Sequence, residues 1–154
     1  PVQVVGLANV IDIAVGVGTS YALKADGSVW AWGANDMGQL GDAYNEAIST
    51  VPVKVLAEDD TKVTAITAGS YSAMALKEDG TVWEWGNTYL HGQIGYPMQI
   101  SQLANVKNIA MSGKTGMVIK KDGSTWGWGN NSGCFKLQSL YKYFYNDFEL
   151  RREK

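Results

Sequence analysis

Few side chains of this 154-residue chain are of a type that performs covalent or metal chemistry, and their spacing decides how far each could go. There is one histidine, His91, and one cysteine, Cys134. Zinc sites draw on clustered Cys and His ligands, and His91 has no such partner at ligand spacing, so it reads as a loop histidine of the Asn87 to Gly92 connection. A single cysteine also excludes a disulfide within the chain. Glu58, Asp59 and Asp60 adjoin, but a charged run between apolar segments is most simply a solvated loop. The segment holding Asn35, Asp36 and Asp42 offers oxygen ligands without the order or the terminal Glu of a calcium loop. A glycine-rich phosphate loop closing on Lys-Ser or Lys-Thr is missing, as is a GxSxG elbow. The residue types therefore imply no catalytic centre, no metal and no cofactor.

Charge narrows the partners. The formal net charge is -2 at pH 7 and no basic block occurs, which argues against a nucleic-acid groove. No apolar run approaches the length of a membrane helix, so no membrane span is expected, and this stretch holds no signal peptide.

What the chain does have is repetition. The pattern Trp, any residue, Trp, Gly occurs at Trp30, Trp83 and Trp126, at intervals of 53 and then 43 residues, each time three residues after an Asp-Gly pair. A unit that recurs in this way cannot bury its apolar face alone, so neighbouring copies must stack. Each copy offers four short apolar or alternating runs separated by Gly, Pro, Asn or Asp, which reads as four antiparallel strands. In the first copy these begin at Pro1, Val10, Ser20 and Ser28; in the second at Val51, Val63, Ser72 and Thr81; in the third at Tyr96, Val106, Thr115 and Ser124.

The Asp-Gly pairs at Gly27, Gly80 and Gly123 are hairpin turns, because glycine accepts the positive φ that a tight reversal demands. That role accounts for Asp26, Asp79 and Asp122 without catalysis. In the following strand, alternation puts Trp30 with Trp32, Trp83 with Trp85, and Trp126 with Trp128 on one face. Each indole can bury on the order of 200 Å², so these six residues read as structural core between units. The residue between them points the other way: Ala31, Glu84 and Gly127. Glu84 is the misfit, and a carboxylate there must either reach water at the rim or find a cationic or amide partner.

The order PxxV, VxxIxxG, a small-polar start to an apolar strand, then DGxVWxWGxNxxGQLG resembles the regulator of chromosome condensation repeat family. Residues Asp26 to Gly41 match best; the second copy keeps Trp83 to Asn87 and Gly92 to Gly95, and the third keeps Trp126 to Asn130. The resemblance covers residues 1–133, divided into copies 1–50, 51–95 and 96–133. It implies an all-β fold, a β-propeller whose four-stranded blades pack radially around a channel. Family members usually have seven blades, so three four-stranded antiparallel blades make a partial propeller. A His that the family often places at the start of the second strand is replaced by Thr19, Ser72 and Thr115.

Residues 134–154 break with the pattern: they lack Gly, Pro and Trp and hold all three phenylalanines. Leu137, Tyr141, Phe144 and Phe148 follow the spacing of an amphipathic stripe, which predicts a short C-terminal helix able to cover an open blade face or mediate self-association. The start at Pro1, already inside a repeat, favours a piece of a longer protein or a processed product.

By resemblance, the activities to expect are those of protein recognition: nucleotide exchange on a small GTPase, chromatin docking, or inhibition of β-lactamases by bacterial members. The wording DGSVWAWG is closer to bacterial extracellular members, which favours a secreted or cell-surface setting. The family's contact loops map onto Asp36, Met37, Tyr71, Tyr89, Leu90 and His91. The expectation is thus a noncatalytic protein–protein interaction module. Two alternatives are a structural unit that completes a ring by oligomerisation and an exchange factor-like activity on a small GTPase.

Overall fold

Alternating apolar residues and Asp-Gly turns produce short hairpins throughout the chain. The computed structural model describes residues 1–43, 46–56 and 61–129. It contains β1 (Val10–Val15), β2 (Thr19–Lys24), β3 (Val29–Ala34), β4 (Ile48–Leu56), β5 (Val63–Ala68), β6 (Ser72–Lys77), β7 (Val82–Asn87), β8 (Gln93–Gln99), β9 (Val106–Ser112), β10 (Thr115–Lys120) and β11 (Thr125–Trp128). Among the described residues there is no helix. Three antiparallel sheets result, ordered β1-β2-β3-β4, β5-β6-β7-β8 and β9-β10-β11.

The sheets are offset by one strand from the sequence copies. The run Val51 to Lys54, which opens the second copy, lies in β4 and pairs with β3 of the first sheet, with Val53 opposite Ala31. Likewise the run Tyr96 to Gln99 lies in β8, where Met98 is opposite Glu84. Both runs carry a proline, and both strands are at the edge of their sheet, where a missing N–H removes no bond from the interior. The run Pro1 to Val4 forms no strand. The third sheet has three strands among the described residues rather than four. The helix read through Leu137, Tyr141, Phe144 and Phe148 falls outside the described residues.

At the Asp-Gly turns Gly27, Gly80 and Gly123 have φ of 88°, 83° and 88°, the left-handed region that the reversal requires. In each turn the Asp carboxylate accepts from the residue two positions on. Asp26 Oδ1 receives the Ser28 N–H at 2.9 Å and hydroxyl at 2.6 Å; Asp79 takes Thr81 and Asp122 takes Ser124 in the same way.

The core lies between the sheets, in two layers. In the first, Tyr21, Leu23, Val29, Ala31 and Leu40 meet Val63, Ile66, Ala73, Ala75 and Trp85. In the second, Met74, Leu76 and Val82 meet Val106, Ile109, Val118 and Trp128. Strand alternation explains the direction: the second Trp of each later pair faces the sheet before it, and the intervening residue faces the sheet after. On the first sheet the corresponding face has no neighbour among the described residues, and Ile11, Ile13 and Val15 are exposed there by 62%, 70% and 71%.

Backbone bonds lock the stack at one end. Val17 N–H donates to the Ser70 carbonyl at 2.8 Å, and Ser70 N–H donates to the Gly113 carbonyl at 3.2 Å. Gly69 sits so close to the Gly113 carbonyl that a Cβ would collide with its oxygen.

Candidate interaction surface

Strand parity divides the connections between two ends. At one end are the Asp-Gly turns. At the other are the tight turns after β1, β5 and β9 and the longer connections after β3 and β7. Asp36 and Met37 lie in the first long connection, Tyr71 in the tight turn after β5, and Tyr89, Leu90 and His91 in the connection after β7. All six candidate contact residues therefore share the loop end.

Each loop is built from the residues that the repeat motif supplies. Asn35 Oδ1 accepts the Leu40 N–H at 2.9 Å, while its Nδ2 donates to Asp42 Oδ1 and to the Glu46 carbonyl, both at 2.8 Å. Gln39 Oε1 accepts the Met37 N–H at 2.7 Å, and its Nε2 donates to Asp36 Oδ1 at 3.0 Å. Side-chain amides thus replace the backbone partners that an irregular loop lacks. Asn35 and Gln39 are buried accordingly.

The three loops are also tied to one another, the Asn87 N–H donating to the Tyr71 carbonyl at 2.8 Å. Gln93 Nε2 donates to the Asp36 carbonyl at 3.2 Å, and Asn87 Nδ2 approaches Met37 Sδ at 3.8 Å. Lys114 Nζ donates to Asn87 Oδ1 at 2.7 Å. Asn87, Gln93 and Lys114 were not among the contact residues read from the sequence, because their contacts join segments from 27 to 57 residues apart.

Exposure separates the six. Tyr71 and Tyr89 are 38% and 40% exposed and Asp36 is exposed, whereas Met37 and His91 are half-buried. Leu90 is half-buried against the second core layer, so it anchors its loop from below.

Glu84 resolves its misfit through a partner and not through water. It is completely buried, and its Oε1 lies 2.8 Å from Nδ1 of His91, whose side chain is 24% exposed. A strand carboxylate and a loop imidazole seven residues later are thereby joined. Among the described residues Glu84 Oε2 has no hydrogen-bond partner.

The tryptophans sort into two kinds. Trp85 and Trp128 are buried between sheets. Trp30, Trp83 and Trp126 are half-buried and held at the turn end, where Nε1 donates to Ser28 at 3.1 Å, Thr81 at 3.3 Å and Ser124 at 3.1 Å. Lys24, Lys77 and Lys120 lie over their rings at 5.8, 4.7 and 4.3 Å from the centroids. The repeated spacing of Lys, Asp-Gly, Ser or Thr, and Trp was the sign of this arrangement. Trp32 is half-buried on the outer face of the first sheet.

Nothing at the loop end assembles a metal centre: among the described residues no three His, Cys, Asp or Glu side chains are grouped to hold an ion. Among them also, no helix is long and apolar enough to cross a membrane.

Stacked antiparallel blades, the second and third each passing one indole, Trp85 and Trp128, to the blade before it, define a repeat protein of the β-propeller class. The regulator of chromosome condensation (RCC1) repeat matches residues 26–76 and, through a second model of the same repeat, residues 10–39, so the chain carries repeats of this family. The human probable E3 ubiquitin-protein ligase HERC6 is 35% identical over 105 residues, covering 66% of this chain and 10% of that protein. Protein pim1 of Schizosaccharomyces pombe is 37% identical over 99 residues, covering 62% of this chain and 18% of that protein. The guanine nucleotide exchange factor SRM1 of Saccharomyces cerevisiae is 30% identical over 95 residues, covering 60% and 20%. In three dimensions, yeast RCC1 (Prp20), solved bound to Kap60, superposes with a TM-score of 0.69 at 24% identity, over 80% of this chain and 33% of that one. The chain thus spans a fifth or less of each of these three curated relatives.

Proposed function

We propose that these blades form a noncatalytic protein–protein interaction module whose contact surface is the loop end. The observation that carries this reading is the grouping there of Asp36, Met37, Tyr71, Tyr89 and His91 on loops cross-tied through Asn87, Gln93 and Lys114. Tyrosines give large contact area at low entropic cost, and rigid loops lose little freedom on association. Quantitative affinity capture tests it by comparing the parent with a Tyr71→Ala, Tyr89→Ala double variant and with a control changed at Lys121 on the turn end. Proteins retained by parent and control but lost from the double variant support the loop end; equal retention by all three contradicts it.

A specific observation favours a second reading, ring completion by self-association. Ile11, Ile13 and Val15 are exposed on the outer face of the first sheet, beside half-buried Trp30 and Trp32. An apolar sheet face of this kind suits another blade. Light scattering of the purified chain separates the two, since a concentration-independent monomer rules out self-association. Exchange activity on a small GTPase, which the family resemblance also raises, is suggested by the name of SRM1, and a nucleotide-release assay decides it.

A further inference from the structure

The Glu84–His91 pair has a geometry that packing does not explain. At the equivalent position the other two blades carry Ala31 and Gly127, both buried, so the space between blades needs no carboxylate. Glu84 is nevertheless wholly buried, with His91 as the sole hydrogen-bond partner of its carboxylate among the described residues. Burying a carboxylate on so few bonds is costly, and such an exception calls for a role outside stability.

With Glu84 ionised its carboxylate can only accept, and the contact at 2.8 Å then places a proton on Nδ1 of the imidazole. The other ring nitrogen has no partner among the described residues, yet it is not among the buried unpartnered atoms, so it reaches solvent. The loop backbone holds the ring in this pose: the His91 N–H donates to Thr88 Oγ1 at 3.1 Å, and the Thr88 N–H donates to the Gly92 carbonyl at 2.7 Å. Leu90 fastens the same loop to the core.

We propose that Glu84 is a positioning residue which fixes His91 in the Nδ1–H tautomer, so that Nε2 presents its lone pair at the loop end to a hydrogen-bond donor of the partner, a hydroxyl or an amide. The carboxylate behind the ring makes that lone pair a better acceptor, as it does for histidines that bind metals. The tautomer rests on the 2.8 Å contact with an ionised Glu84; the donor on the partner rests on the interface reading above.

The test uses the purified chain, which contains a single histidine. Long-range nitrogen–proton NMR at a pH where the imidazole is neutral should show Nδ1 protonated and Nε2 bare. Glu84→Gln, whose amide can satisfy either ring nitrogen, should move the population toward the Nε2–H form. It should also slow acylation of His91 by diethyl pyrocarbonate several-fold. A parent in the Nε2–H form, or a Glu84→Gln variant with unchanged tautomer and acylation rate, overturns the proposal. Should the variant not fold, as judged by near-ultraviolet circular dichroism of the tryptophans, the tautomer of the parent decides alone. If the tautomer is as proposed but His91→Ala leaves capture of every loop-end partner unchanged, it is the partner's donor that fails and not the positioning.

Discussion

Trp85 of the second sheet donates its indole N–H to the main-chain carbonyl of Gln39, in the connection between β3 and β4, at 2.9 Å. The Tyr21 hydroxyl donates to that same oxygen at 3.0 Å, and the two rings meet edge to face with centroids 6.1 Å apart. One carbonyl from the loop-end motif thus joins a strand of each sheet, so the packing of the blades and the shape of the candidate surface share a residue.

Trp85→Ala should be among the most damaging single substitutions, costing about 3–5 kcal/mol by removing a buried indole together with its bond to Gln39. Trp32→Ala, on the outer face of the first sheet, should cost clearly less. Urea unfolding of both variants checks the order, and equal losses would deny that the indoles act as inter-sheet core.

Tyr21→Phe should lose about 1 kcal/mol, the usual net worth of one hydrogen bond. Burial also pushes the Tyr21 phenol well above its ordinary value of 10.0. Its contribution is therefore complete below pH 10.0 and declines as the pH rises further, because the unfolded chain ionises first. An alkaline absorbance titration should show one tyrosine resisting ionisation until the protein unfolds, a component that Tyr21→Phe removes.

At the turn end, the Ser28 hydroxyl and then the Ser28 N–H hold Asp26 down to about 2 from an ordinary 3.8, with Lys24 adding a smaller pull. Asp122 is lowered likewise, first by Ser124. These carboxylates support folding above pH 3.8, and that support fades as the pH falls towards about 2. Chemical unfolding across this window should show a shallower acid loss for an Asp26→Asn, Asp122→Asn variant than for the parent.

Gly69→Ala should destabilise by about 1–3 kcal/mol, because the added methyl meets the Gly113 carbonyl where the blades are bonded. Gly92 has open space around its missing Cβ, so Gly92→Ala should carry only the penalty of its φ of 71°. Thermal unfolding of the two variants measures the difference.

Local chemistry was what the sequence made legible. Gly27, Gly80 and Gly123 mark turns because the steric rule acts within a few residues, and the Trp pairs mark faces because strand alternation has a period of two. Parity then places Asp36, Tyr71 and His91 at one end of the sheets. Which sheet the Val51 to Lys54 run would join was not legible, since pairing with β3 before it or β5 after it satisfies the same pattern. Glu84 was recognisable as needing a partner and His91 as lying in a loop, but their meeting depends on how residues 88–92 fold back over β7. The same holds for Asn87 and Lys114, which only the stacking of two blades brings together.

Site-specific photocrosslinking probes the proposed contact surface at the loop end without intermediate steps. A photoreactive amino acid placed at Tyr71 or Tyr89 should yield discrete adducts with host proteins, while the same group at Lys121 on the turn end should yield none. Adducts formed from Lys121 and not from Tyr71 or Tyr89 would contradict the account.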